Sequence, residues 1–198
     1  SSRRRRNHLN RRANAHSRWI PRRRELAVLA SHSYVQDLGR VDQIWEWLKE
    51  NHGAQIALEA PHVTHPETFN YSELADRISL ASAALASFGI KKGDVVALFA
   101  ENSPRWLVAD QAVMRSGAAD AVRGATAPIQ ELKYILQDSQ ATAIFVQSSE
   151  LLEKLSLSEN ERNNFKFVVQ IEGLPSDGVM GWDEFLLEGI GKPNPDLI

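Results

Sequence analysis

Between Asn70 and Gln147 the apolar residues alternate between a helical period and short unbroken runs, so that one strand-then-helix unit recurs three times at nearly equal spacing. Leu74, Ile78, Ala81, Leu85 and Phe88 fall at offsets of four, three, four and three, which puts all five on one face of a helix. Its start is legible in Asn70-Tyr71-Ser72-Glu73, where Asn70 suits the N-cap and Glu73 can reach back as in a capping box. Burying the four larger side chains contributes roughly 6 to 12 kcal/mol at ~1.5 to 3 kcal/mol each, an upper bound because the unfolded chain is already partly compact. Gly89 closes the helix, and Ile90-Lys91-Lys92-Gly93-Asp94 makes a turn with a second glycine.

The uncharged run Val95-Val96-Ala97-Leu98-Phe99-Ala100 reads as a strand covered on both faces. Ser103 then caps a helix that Pro104 opens, and Trp106, Leu107, Val108, Ala112, Val113 and Met114 spread around so much of its circumference that a buried helix is expected. Gly117 stops it. Residues 118–123 form a second core strand, 128–137 a helix, 141–147 a third strand, 149–155 a short helix and 165–171 a fourth strand, with a polar turn through Ser158-Glu159-Asn160-Glu161. Strands alternating with helices of about ten residues imply right-handed crossovers and a parallel sheet. The expected fold is α/β: a partial doubly wound parallel sheet with helices on both faces.

On either side of this region the pattern is weaker. Residues 25–40 connect without a strong period. Val41, Ile44, Trp45 and Leu48 share a helical face that packs on the body of the protein, with Lys49 and Glu50 outward, Trp47 off the stripe and Gly53 as a stop. Residues 56–60 and 68–70 read as short strands flanking a loop, 173–178 as a loop and 182–188 as a last helical turn or two.

Composition adds a division that the overall charge of −2 hides. Residues 1–24 hold ten arginines and no acid, so the other 174 carry 13 basic residues against 25 acidic ones, a net of −12. The basic leader has too few apolar residues for a core and is expected to be disordered. It suits an organelle transit peptide, a phosphate-contacting nucleic-acid segment, a peripheral contact with anionic lipid, or an inert tail. The first residue is Ser rather than Met, which favours a clipped leader. With no cysteine, disulfides, Cys-zinc sites and thiol catalysis are excluded from these residues. No apolar run approaches the roughly 20 residues needed to span a bilayer, so a soluble protein is expected.

Candidate chemistry is sparse. His62 and His65 lie three apart between Pro61 and Pro66, so they cannot form the helical i, i+4 pair of zinc peptidases and read as loop histidines. Gly189-Ile190-Gly191-Lys192-Pro193-Asn194 resembles a nucleotide loop only superficially: Pro193 would stop a helix from opening there, and Leu186 stands where a P-loop needs its first glycine, so it reads as a linker. No Gly-x-Ser-x-Gly elbow exists to expose a nucleophile. Asp120 and Arg123 are the oddest residues by context, because charge in or at the end of a core strand must be paired or emerge at the sheet's edge. They read as a strand-end ion pair, as exposed strand ends or, for Arg123, as a marker of the carboxyl edge where open α/β folds bind ligands.

Asn70-Tyr71-Ser72-Glu73-Leu74, the segment from Gly89 to Leu98, Glu101-Asn102-Ser103-Pro104 and Ser116-Gly117-Ala118, in this order and spacing, resemble the N-terminal part of the adenylate-forming, AMP-binding superfamily of acyl-CoA synthetases, luciferases and peptide-synthetase adenylation domains. Within it, residues 102–111 followed by Asp120-Ala121-Val122-Arg123-Gly124 are more narrowly similar to the long-chain acyl-acyl-carrier-protein synthetases of plastids and cyanobacteria. The resemblance, which runs from about residue 41 to residue 185, implies an ATP- and Mg²⁺-dependent ligase that makes a fatty acyl-adenylate and passes the acyl group to the phosphopantetheine thiol of acyl-carrier protein or CoA, in a plastid. It implies residues 25–198 as an incomplete ligase domain behind a leader at 1–24, with fatty acid as substrate and no nucleic-acid partner. The family's Ser/Thr/Gly-rich phosphate loop, adenine-packing aromatic, ribose-binding acid and C-terminal lysine lie downstream, so no catalytic, cofactor-binding or metal residue carries across. The alternative is a non-catalytic α/β binding module that recruits partners through its basic tail. The 198 residues alone are expected to form no acyl-adenylate and to be poorly soluble, because the sheet would end in an unpaired edge beside Phe167 and Val169.

Overall fold

The structure, a computed structural model, describes residues 38–62 and 66–195. The leader, most of the connector and His65 lie outside the described residues. After a 3₁₀ turn at Val41–Gln43, the chain forms α1 (Ile44–His52), β1 (Ile56–Ala60), β2 (Glu67–Asn70), α2 (Tyr71–Ser87), β3 (Val95–Phe99), α3 (Pro104–Arg115) and β4 (Ala119–Arg123). It continues through α4 (Ile129–Ser139), β5 (Ala143–Val146), α5 (Ser149–Leu155), α6 (Glu159–Asn164), β6 (Val168–Gln170), β7 (Met180–Gly181) and α7 (Trp182–Leu187). β1 and β2 make an antiparallel pair, while the other five strands form a parallel sheet in the order β4-β3-β5-β6-β7. This is the expected doubly wound α/β architecture.

Two apolar layers follow from the period-2 alternation of the strands. Val96 and Leu98 of β3 and Phe145 of β5 face α2, α3 and α7 in one core; Ala97, Phe99, Ile144 and Val146 face α4 and α5 in the other. β3 and β5 are buried on both faces as a parallel interior requires. Around α2 the local signals act as read: Glu73 N–H donates to Asn70 Oδ1 (2.8 Å), Asn70 N–H donates to Glu73 Oε2 (2.9 Å), and Gly89 turns the chain at φ +75°. Small residues let α2 and α3 approach closely, with buried Ser82 and Ser116 hydroxyls 3.2 Å apart.

Several expectations need correction. α3 is buried on one face only, through Val108, Ala109, Ala112 and Val113, while Met114 is 40% exposed, because β4 beyond it is the edge of the sheet. β4 is therefore not a core strand, and Val122 is exposed with it. Val41 sits in the 3₁₀ turn, off the face of α1, and is 70% exposed. The segment at Ser158 is not a turn but the start of α6, since Ser158 Oγ accepts from Glu161 N–H and Glu161 answers Ser158 N–H in a second capping box.

β6 is not an edge strand either. β7 pairs with it at Val169 and Gln170, and α7 folds Phe185 and Trp182 onto Phe145 and Phe167, with Phe145 and Phe185 edge-to-face at 5.2 Å. Phe167 and Val169 are buried, and the outer strands of the sheet are β4 and the two-residue β7. Nor is 189–194 a bare linker: Asn194 Nδ2 donates to Ser79 Oγ (2.8 Å), and a Cβ on Gly189 would come within 2.2 Å of Leu80 O. Gly189→Ala should therefore lower stability by about 3 kcal/mol through backbone displacement. Gly191→Ala, at φ +70° in open space, should lose only about 1 kcal/mol, and denaturant midpoints of the two variants measure the contrast.

Candidate functional site

All strands of the main sheet end on the same side, so the loops after β3, β4, β5 and β6 gather at the carboxyl edge, where ligands of open α/β sheets bind. The ladder continues into them, with Ala100 N–H donating to Arg123 O (3.1 Å), Gln147 N–H to Phe99 O (2.9 Å) and Ile171 N–H to Val146 O (2.9 Å). Glu101 is the centre of the cluster. Its N–H donates to Gln147 Oε1 (2.8 Å), and its Oε1 accepts from Thr126 N–H (3.2 Å) and Thr126 Oγ1 (3.1 Å), clasping the loop after β3 to the loop after β4. Gly124 makes room for this clasp, since a Cβ there would meet Glu101 Oε1 at 3.0 Å.

Arg123 stands at this edge, as one of its readings held, and it is also a paired, exposed strand end. Its Nε donates to Glu131 Oε1 (2.6 Å), and that hydrogen bond raises the guanidinium pKa further, with a smaller contribution from Glu101. Arg105 donates to Ile171 O (2.7 Å), and buried Gln170 uses both amide hydrogens to hold Glu172 O (2.6 Å) and Leu174 O (2.9 Å). These anchors for the loop after β6 had no signature in the sequence, because each is a contact with a backbone carbonyl fixed only by the tertiary fold.

Asp120 lies toward the other end of β4. Paired with Val96, it shares the α3 face, and its neighbour is not a cation but Asp110. The ion-pair reading therefore fails for Asp120. Burial first, then the Asp110 carboxyl, pushes its pKa up to about 7. His62 sits exposed in the turn after β1. Among the described residues no group of three His, Cys, Asp or Glu side chains could hold a metal ion, and no helix is long and apolar enough to cross a membrane.

The residues present do not fit ATP or Mg²⁺. Thr126 donates to Glu101, the N-termini of α3 and α5 are capped by Ser103 and Ser148, and the cations of the edge are engaged by Glu131 and Ile171 O. The cluster's chemistry is that of a loop brace, with its donors turned inward.

Comparison with known proteins defines the class. The family described as AMP-binding enzyme matches residues 45–190, and the chain belongs to that family. It is 35% identical over 147 residues to a probable acyl-activating enzyme 16, chloroplastic, of Arabidopsis thaliana, covering 74% of this chain and 20% of that protein. It is 33% identical over 133 residues to a chloroplastic long-chain-fatty-acid–[acyl-carrier-protein] ligase of the same plant, covering 67% and 18%. The chain thus spans about a fifth of the length of these relatives. The apo structure of MbtA from Mycobacterium smegmatis shares the fold, with a TM-score of 0.66 at 22% identity, over 90% of this chain and 32% of that one.

Glu101→Ala should release the two loops and lower stability by about 1 kcal/mol, the net worth of an exposed hydrogen-bonded brace. Thermal melting of this variant beside Thr126→Val, expected to lose a smaller share of the same brace, checks it.

Proposed function

We propose that the chain is the N-terminal portion of an ATP-dependent acyl-activating ligase of fatty acid metabolism, with residues 25–198 belonging to the ligase domain and 1–24 to a plastid leader. The parent enzyme joins a fatty acid carboxylate to the α-phosphate of ATP, releasing pyrophosphate, and then passes the acyl group to a phosphopantetheine thiol, releasing AMP. Acyl-carrier protein is the favoured acceptor over CoA. The observation that carries the reading is the family match across residues 45–190, supported by the parallel sheet and by the likeness to two chloroplastic plant enzymes, one of them an acyl-carrier-protein ligase.

In this reading the segment is scaffold. Its inward-turned carboxyl edge positions loops, and the nucleotide, Mg²⁺ and acyl chain are held by the rest of the enzyme. The decisive test uses the full-length protein with ATP, Mg²⁺, palmitate and either holo-acyl-carrier protein or CoA. Fatty-acid-dependent pyrophosphate release with acyl transfer to the carrier protein is expected; no acyl-dependent turnover would overturn the ligase reading in favour of a binding module. A fluorescent reporter fused to the complete N-terminus should enter plastids, and nuclear accumulation would instead support the nucleic-acid reading of the arginines.

A further inference from the structure

Asp110 and Asp120 meet where helix α3 packs on β4, an outer strand of the sheet among the described residues. Asp120 Oδ2 is sealed from solvent and meets no hydrogen-bond donor among the described residues, and the side chain beside it is another acid. Asp110 is itself tethered: Gln111 Nε2 donates to its Oδ2 (2.7 Å), and Trp45 Nε1 of α1 donates to Gln111 Oε1 (2.8 Å). A chain of contacts thus runs from α1 through α3 to β4. Only a proton held between the two carboxyls completes it, because a carboxylate accepts hydrogen bonds and donates none.

We propose that Asp110 and Asp120 form a proton-sharing latch, which holds β4 against α3 while one proton lies between them and releases the strand when that proton is lost. The surroundings leave this pair to its own chemistry. β3 brings no charged residue in Val95–Phe99, and Arg115 of α3 is engaged by Glu46 (3.1 Å). Glu131 of α4 pairs with Arg123, which by strand alternation lies on the opposite face of β4, and Asp42 ahead of α1 pairs with Arg40 (2.8 Å). No cationic group is among those acting on Asp120, whereas burial and Asp110 both favour its protonated form. An unlatched Asp120 titrates in the ordinary carboxylate range, and the latched one near 7. The latch is therefore fully closed below the ordinary range, weakens as pH rises through about 7, and changes little above that. β4 leads directly to Arg123 and the Glu101–Thr126 clasp, so the latch governs the strand that carries the carboxyl-edge cluster. This inference stands independently of the proposed ligase activity.

Hydrogen–deuterium exchange of the full-length protein at pH 5 and pH 8, corrected for intrinsic exchange, tests it. Protection of the β4 amides should fall about a hundredfold between the two, while those of β5 stay unchanged. In Asp120→Asn the side-chain amide donates to Asp110 at every pH, so the pH response of β4 should vanish. Asp110→Asn supplies the same donor from the other side and serves if the first variant does not fold. Constant β4 protection in the native chain, or an equal pH response in a folded Asn variant, overturns the proposal.

Discussion

The constraint on which this fold depends is that β3 has no solvent face. Five residues without a charge or side-chain hydrogen bond must be covered above and below, and the alternation of Val96 and Leu98 against Ala97 and Phe99 demands helices on both sides. A parallel neighbour on each flank satisfies its backbone, which forces crossovers, and the crossovers are α3 and α4. α2 precedes β3 in the chain and lays its small-residue face against α3, which completes the layer on that side of the sheet.

The two edges of the sheet end differently. On the β6 side the chain folds back through β7 and α7, and a group of aromatic rings centred on Phe145 seals it. Gly189 and Asn194 then pin the same segment to α2, so the last described residues are part of the core's support. On the β4 side no strand follows among the described residues. Asp120, Val122 and Met114 lie along this border, and it is here that a half-buried acid is tolerated, near enough to water to exchange its proton and buried enough to keep it.

The carboxyl edge is ordered by hydrogen bonds among its own loops. Glu101 accepts from Thr126 and donates to Gln147, while Arg105 and Gln170 donate to loop carbonyls, and Gln170 Oε1 has no partner among the described residues. Such a brace holds the loops of the carboxyl edge in one arrangement.

The sequence by itself determined the parallel α/β class, the order of helices and strands from α2 to α5, and the caps at Asn70, Ser103 and Gly89, because period, capping and left-handed turns are local effects. It also carried the family resemblance, since the matching turns and helix starts are contiguous. What only the tertiary structure decided was which strands became the edges of the sheet. β7 is two residues long and has no pattern of its own, so its existence depends on β6 being beside it. For the same reason the partners of Asp120 and Arg123 were illegible: Asp110 is adjacent in space through the packing of α3 on β4, and Glu131 through the crossover to α4. Whether a strand's charge meets a base or another acid is set by packing, since the side chains that surround it come from elements that no local spacing connects.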